Sequence, residues 1–294
     1  MDFFFVLSGF IIFNAHFKDI GKRDKVILYA KKRFFRIYPI FFIVISSKIL
    51  IFFLLGMEFR EEQKSLNYLM KSYLLFPIEG QFPLVSVSWT LCHELTFYLI
   101  FLISIMKGKK VFFSCTIFWA ISIICYNCIE HEYNFTLAHF LSPYNFEFII
   151  GIFTGWTYHN KKRRSKYLLF CFAAILLFCS ITLIDELALR LVLGSSFGFI
   201  ILACTDLPKF KSKILRTVDG TLFLIGNASY SIYLIHTLII SALYQIFLDS
   251  INLNALGFIS FFVSLITGIL IWRLVEFPLL QFTRKRFINK VTHT

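Results

Sequence analysis

Apolar stretches long enough to cross a lipid bilayer recur along the whole chain, and they limit its fold more than any other feature. A bilayer core about 30 Å thick requires about 20 mostly apolar residues per helix, with about 17 as the usual minimum. Nine stretches approach or exceed that length: 3–17, 39–56, 89–106, 111–127, 145–159, 166–184, 187–205, 229–248 and 255–275. We therefore expect an all-α, polytopic transmembrane helix bundle of about nine spans in a single domain, 1–294.

Composition supports this class. Hydrophobic residues make up 58% of the 294 residues and charged residues 16%, whereas soluble domains average about 45–50% and about 25%. The net charge of +13 would suggest a nucleic-acid partner in a soluble protein. In a membrane protein, the positions of the charged residues are more informative than the net charge, because they indicate orientation in the membrane. No nucleic-acid partner is therefore expected.

Basic residues are concentrated in alternate loops. Of the 30 Lys and Arg, 24 lie in five segments: 18–38, 107–110, 160–166, 206–220 and 276–294. Because such residues accumulate in cytoplasmic loops, the pattern predicts a cytoplasmic tail at 276–294. Nine spans then place residue 1 outside, which predicts one further span before it.

Ionisable side chains inside spans cost free energy and mark candidate sites, and the segment 86–98 is the richest in them. Helical spacing puts Glu94 on one face with Thr90 and Tyr98, about 9 Å below the outer end of the span. A carboxylate there is either a general base or a buried anchor for a hydroxyl or Arg. His93 points to a neighbouring face.

A second candidate segment is 226–236. Ser229, Tyr233 and His236 follow i, i+4, i+7 spacing, which gathers them on one helix face. His236 would lie about 10 Å deep from the inner surface. Its imidazole serves either as an acid, base or donor or as an interhelical hydrogen-bonding group.

The basic segment 31–39 is the third candidate. Arg33 and Arg36 share a face if the segment is helical, and Pro39 would lie near the first turn of the next span. Paired guanidinium groups suit phosphate recognition. Alternatively, the charge bias of cytoplasmic loops alone explains them.

Two other pairs have simple structural explanations. Glu276 is three residues from Arg273, which predicts a local ion pair. Gly151 and Gly155 form a G-x3-G pair, which indicates close helix packing.

Metal and hydrolase signatures are weak. Cys125, Cys128 and His131 supply too few ligands for a zinc site, so neither a metal nor a tightly bound cofactor is expected. The G-x-S-x-G elbow and the phosphate-loop pattern are absent.

Five segments, taken in order, resemble the membrane-bound acyltransferase type three family, the bacterial integral-membrane O-acyltransferases. They are D-F-F-F-V-L-S-G-F at 2–10, R-F-F-R-I-Y-P at 33–39, W-T-L-C-H-E-L-T-F-Y at 89–98, S-Y-S-I-Y-L-I-H at 229–236 and E-F-P at 276–278. Together they cover nearly the whole chain.

The resemblance implies transfer of an acyl group, commonly acetyl, from cytoplasmic acyl-CoA to a hydroxyl of a cell-surface polysaccharide, O-antigen or lipid-linked sugar at the bacterial inner membrane. Arg33 and Arg36 would hold the donor. Glu94 and His236 would be catalytic and line a path across the membrane, with Asp2 at its outer end. The resemblance also implies that seven further residues line the substrate path: Trp89, His93, Tyr98, Ser229, Tyr230, Tyr233 and Glu276.

The family pattern has ten spans, and its first carries an Arg and, about ten residues later, the His favoured as general base. This sequence begins just after that element, so we expect it to be an N-terminally truncated version. Neither His16 nor His236 occupies the position of that base. A glycan or lipid transporter or flippase, and an inactive truncated family member, are the alternative hypotheses.

Overall fold

The described residues form twelve α-helices and no strand, which confirms the all-α prediction. The computed structural model describes residues 1–54, 56, 59–130, 132–160, 165–205, 213–247, 250 and 252–288. In chain order, helices α1 to α12 are Asp2–His16, Val26–Leu54, Leu66–Leu74, Trp89–Lys107, Lys109–Cys128, Phe135–Phe140, Pro143–His159, Lys166–Ser180, Glu186–Thr205, Lys213–Phe247, Leu253–Ile271 and Phe277–Thr283. Short 3-10 turns occupy Phe17–Asp19, Arg23–Lys25, Glu61–Lys64 and Ser86–Ser88, and π-helical turns occupy Trp272–Glu276 and Arg284–Ile288.

Several helices are long and apolar enough to cross a membrane. In the part of the chain that the structure describes there are six: Arg23–Leu54, Ser86–Lys107, Lys109–Cys128, Glu186–Thr205, Gly220–Phe247 and Leu253–Arg286. Helices α1, α7 and α8 are shorter, at 15, 17 and 15 residues, and coincide with three further predicted stretches. The protein is therefore a multi-pass helical membrane protein, and the count of nine spans stays a prediction.

Two helices begin well before the apolar stretches that predicted them. Helix α2 begins at Val26, and Pro39 therefore lies in its interior. The prediction that Pro39 would lie near the first turn is wrong. Leu28 and Tyr29 are buried in the early turns of α2, because apolar side chains in the basic segment also pack inward. Helix α10 likewise begins at Lys213 rather than near 229.

The chain divides into two compact units, and the first comprises Met1–Val26 and His93–Lys209. Its helices α1 and α7 pack in direct backbone contact: a Cβ added to Gly151 would lie 2.2 Å from the Val6 carbonyl oxygen, and one added to Gly9 would lie 2.3 Å from that of Phe148. The second glycine of the pair, Gly155, packs against Phe13. The predicted close helix packing is confirmed.

The second unit comprises Ile27–Cys92 and Phe210–Thr294. Its segment 60–88 lies along α2, because Tyr38 donates its hydroxyl to the Leu74 carbonyl at 3.2 Å and the Lys48 ammonium donates to the Leu84 carbonyl at 2.7 Å. Helices α10 and α11 also pack closely, with Gly268 against Ile232.

Candidate functional site

Glu94 is buried in α4 and accepts two hydroxyl hydrogen bonds within the first unit. Ser8 of α1 donates to Glu94 Oε1 at 3.1 Å, and Tyr98 donates to the same oxygen. The shared face of Glu94 and Tyr98 is thus confirmed, whereas Ser8 is a partner that helical spacing did not indicate. A carboxylate with this environment can orient a hydroxyl group or take its proton.

His93, the neighbour of Glu94, is held by an amide. Asn145, which is fully buried, uses its two N–H groups on the carbonyls of His139 and Phe140, at 2.8 and 3.0 Å. Its oxygen therefore faces His93 Nδ1, 3.0 Å away, and Nδ1 must be the donor. In the neutral ring, this arrangement selects the tautomer that carries its proton on Nδ1. The His139 ring stacks on the His93 ring, with centroids 4.2 Å apart.

Replacing Asn145 with alanine is expected to lower the free energy of unfolding by about 3 kcal/mol, because three hydrogen bonds of a fully buried amide are lost together. Thermal unfolding in detergent micelles would measure the effect. Asn227→Ala is the matched control, since within the described ranges the Asn227 amide bonds only the Phe223 carbonyl of its own helix, at 2.9 Å. Equal destabilisation by the two substitutions would contradict the prediction.

Asp2 forms an ion pair at the start of α1. Arg190 of α9 donates to its carboxylate and also donates to the Tyr144 hydroxyl at 2.8 Å. Glu147, which is fully buried, lies beside Asp2. Asp2 is thus held by a cation within its own unit, and neither Arg190 nor Glu147 was a predicted site residue. The signal that could have found Arg190 is its charge inside an apolar stretch.

A second ionic cluster lies in the second unit, around Glu276. The Arg36 guanidinium donates to Glu276 Oε1 at 2.6 Å, and the Ser231 hydroxyl donates to Oε2 at 2.6 Å. The prediction that Arg273 would be the partner of Glu276 is wrong. Glu276 lies in the π-helical turn and is buried, whereas Arg273 in the same turn is exposed.

Tyr230 is part of the same cluster. Its ring lies 5.4 Å from the Arg36 guanidinium carbon, and its hydroxyl donates to the Ile37 carbonyl at 2.8 Å. Arg33 precedes Arg36 by one turn of α2, and its guanidinium lies 5.6 Å from the centre of the Tyr29 ring. The helical placement of the two arginines is confirmed.

The remaining predicted residues are spread along α4 and α10. The Tyr233 hydroxyl lies 2.6 Å from Thr90 Oγ1 and donates to the Val87 carbonyl at 2.7 Å. His236 is half-buried, and its Nδ1 donates to the Tyr233 carbonyl of its own helix at 2.6 Å. Ser229 is exposed, so this helix face is only partly buried. Trp89 is half-buried and begins α4.

Metal ligands are sparse in the described ranges. No group of three or more His, Cys, Asp and Glu side chains is close enough there to hold a metal ion. The thiols of Cys125 and Cys128 are free and exposed, and His131 lies outside the described residues.

Comparison with known proteins gives one match. A family model described as an acyltransferase domain matches residues 1–273, a range that includes Glu94, His93 and Arg36. No curated protein and no solved structure gave a significant match.

Proposed function

This chain belongs to the family of membrane-bound acyltransferases, and we propose that it is a bacterial inner-membrane O-acyltransferase. It transfers an acyl group, commonly acetyl, from acyl-CoA to a hydroxyl of a cell-surface polysaccharide, O-antigen or lipid-linked sugar. The observation that carries the proposal is the buried Glu94 carboxylate with its two hydroxyl donors.

The acceptor chemistry requires a group that manages a proton. When an acceptor oxygen attacks the thioester carbonyl, a C–O bond forms, the C–S bond breaks with release of coenzyme A as its thiolate, and the hydroxyl proton passes to a base and finally to that thiolate. Glu94 is a carboxylate at hydrogen-bonding distance from hydroxyl groups and is suited to bind the acceptor hydroxyl in the same way. In this proposal Glu94 orients the acceptor or accepts its proton, and Asp2 lines the acceptor path within the same unit.

The donor chemistry requires recognition of phosphate. Arg33 and Arg36 lie on adjacent turns of α2, in the basic segment that the loop-charge bias assigns to the cytoplasm. Guanidinium groups bind phosphate through paired N–H donors. Their proposed role is to bind the phosphates of acyl-CoA on the cytoplasmic side, with the 276–294 tail on that side as well.

The function is tested by mass spectrometry of envelope glycans from cells with and without the gene, and by incubation of the purified protein with radiolabelled acetyl-CoA and extracted glycan. We expect an acyl mass on at least one glycan that disappears when the gene is deleted. Movement of a glycan across vesicles without consumption of acyl-CoA would instead identify a transporter. If the protein showed neither acylation nor transport, it would be an inactive family member.

A further inference from the structure

Arg36 is held by groups from two other parts of the second unit. Glu276 in the π-helical turn accepts from its guanidinium at 2.6 Å, and Tyr230 of α10 places its ring 5.4 Å away. Ser231 of α10 binds the other oxygen of Glu276 at 2.6 Å. Both carboxylate oxygens are therefore occupied, while the Arg36 side chain is still 39% exposed. One guanidinium nitrogen, Nη1, is bound to the carboxylate, and the Arg36 side chain as a whole stays partly exposed.

The position of Glu276 is unusual for a carboxylate. Only 1% of it is exposed, although burying a charge is costly unless it is paired and hydrogen-bonded. The backbone around it is a π-helical turn, in which the Phe277 N–H donates to the Trp272 carbonyl five residues earlier. Such turns are rare in proteins, and those that do occur are often found at functional sites.

Simple charge attraction does not account for this arrangement. If Arg36 served only to add positive charge near a donor phosphate, a carboxylate at 2.6 Å would weaken that attraction. A fixed orientation does account for it, because a guanidinium is a planar fork whose donors match phosphate oxygens only when it is correctly aligned. Ordering that fork before binding removes part of the entropic cost of binding.

We propose that Glu276 is a positioning residue for the donor: with Ser231, it holds the Arg36 guanidinium so that its remaining N–H groups bind a phosphate of acyl-CoA. This inference rests on the proposed function, because it takes the donor to be acyl-CoA. Glu276 itself does not touch the donor in this account. Its effect on donor binding passes entirely through Arg36.

The first test is binding of coenzyme A to the 294-residue protein in lipid nanodiscs, together with the KM for acetyl-CoA. Glu276→Gln is expected to weaken coenzyme A binding roughly tenfold, which is the loss of about one well-placed hydrogen bond. It should raise KM while leaving kcat nearly unchanged. Ser231→Ala, which removes one support of the carboxylate, is expected to weaken binding roughly threefold. Arg273→Gln is the matched control in the same turn and should leave binding unchanged.

The second test separates positioning from folding. In an Arg36→Gln background, adding Glu276→Gln should restore thermal stability, because the buried carboxylate no longer lacks its cation. It should not change coenzyme A binding relative to Arg36→Gln alone. A purely structural role predicts that stability and binding recover together.

The outcomes separate the two proposals. If the wild-type protein binds coenzyme A but Glu276→Gln binds it equally well, the positioning role is wrong and the proposed function stands. A tenfold loss from Glu276→Gln that persists unchanged in the Arg36→Gln background also overturns the role, because the two residues would then act independently. If the wild-type protein neither binds coenzyme A nor transfers an acyl group, the proposed function fails, and the positioning role fails with it.

Discussion

Acyl transfer is expected to fall by about 10²–10⁴-fold when Glu94 is replaced with glutamine, which is the range for removing an acid–base group. The substitution keeps the size of the side chain but removes its charge. The Glu94 carboxylate accepts from both Ser8 and Tyr98 on one oxygen, whereas a glutamine amide has one oxygen and an NH2 group that cannot accept. The variant therefore cannot accept a proton as the carboxylate does. It also has only one acceptor oxygen, where the carboxylate has two.

The measurement is the initial rate of glycan acylation at saturating acetyl-CoA, with thermal unfolding of the same preparation to show that the variant is folded. Glu132→Gln makes the same chemical change at an exposed position and should leave the rate unchanged. Tyr98→Phe removes one donor to the carboxylate and is expected to lower the rate by roughly tenfold. If Glu94→Gln kept more than half of the wild-type rate, Glu94 would be a structural anchor and not a catalytic residue.

Gly151→Ala is expected to destabilise the protein by about 3 kcal/mol or more, because overpacking a closely packed contact forces the backbone to move. The added Cβ would lie 2.2 Å from the Val6 carbonyl oxygen and 2.9 Å from Gly9 Cα. Both neighbours are backbone atoms of α1, so no side chain can rotate to make room. Helices α1 and α7 would have to separate, and Ser8 would move with α1.

Thermal unfolding in detergent compares this variant with Gly226→Ala, which is also within a helix. Among the described residues, a Cβ at Gly226 would meet no heavy atom within 4 Å apart from its chain neighbours and the nearby backbone of its own helix. Alanine there should therefore stabilise the helix by up to about 1 kcal/mol through its higher helix propensity. Opposite shifts in the two melting temperatures are the expected result. A Gly151→Ala variant that melts with the wild type would contradict the contact between α1 and α7.

Much of the fold could be predicted from the sequence because lipid demands long apolar helices, and each predicted apolar stretch contains a helix. The starts of helices were less predictable. Helix α2 extends back to Val26, through basic residues whose hydropathy does not resemble a span but which form helix well. Hydropathy therefore indicates where a helix meets lipid and does not indicate where it ends.

The candidate site was predictable within a helix and unpredictable between helices. The i, i+4 spacing correctly placed Tyr98 beside Glu94, because both residues are on α4. No spacing rule links Ser8 to Glu94, since 86 residues separate them. The same limit explains Glu276, for which Arg273 was the nearest cation in sequence and Arg36, 240 residues away, is the partner.

The π-helical turn at Trp272–Glu276 also makes the second cluster sensitive to insertions and deletions. A π-helical turn contains one residue more than an α-helical turn would use, and each residue of an α-helix rotates the chain by about 100°. Removing a single residue from this turn would restore the α-helical register and redirect whichever residue then occupied the place of Glu276. The pairing with Arg36 thus depends on the length of the chain here as much as on the identity of the side chains.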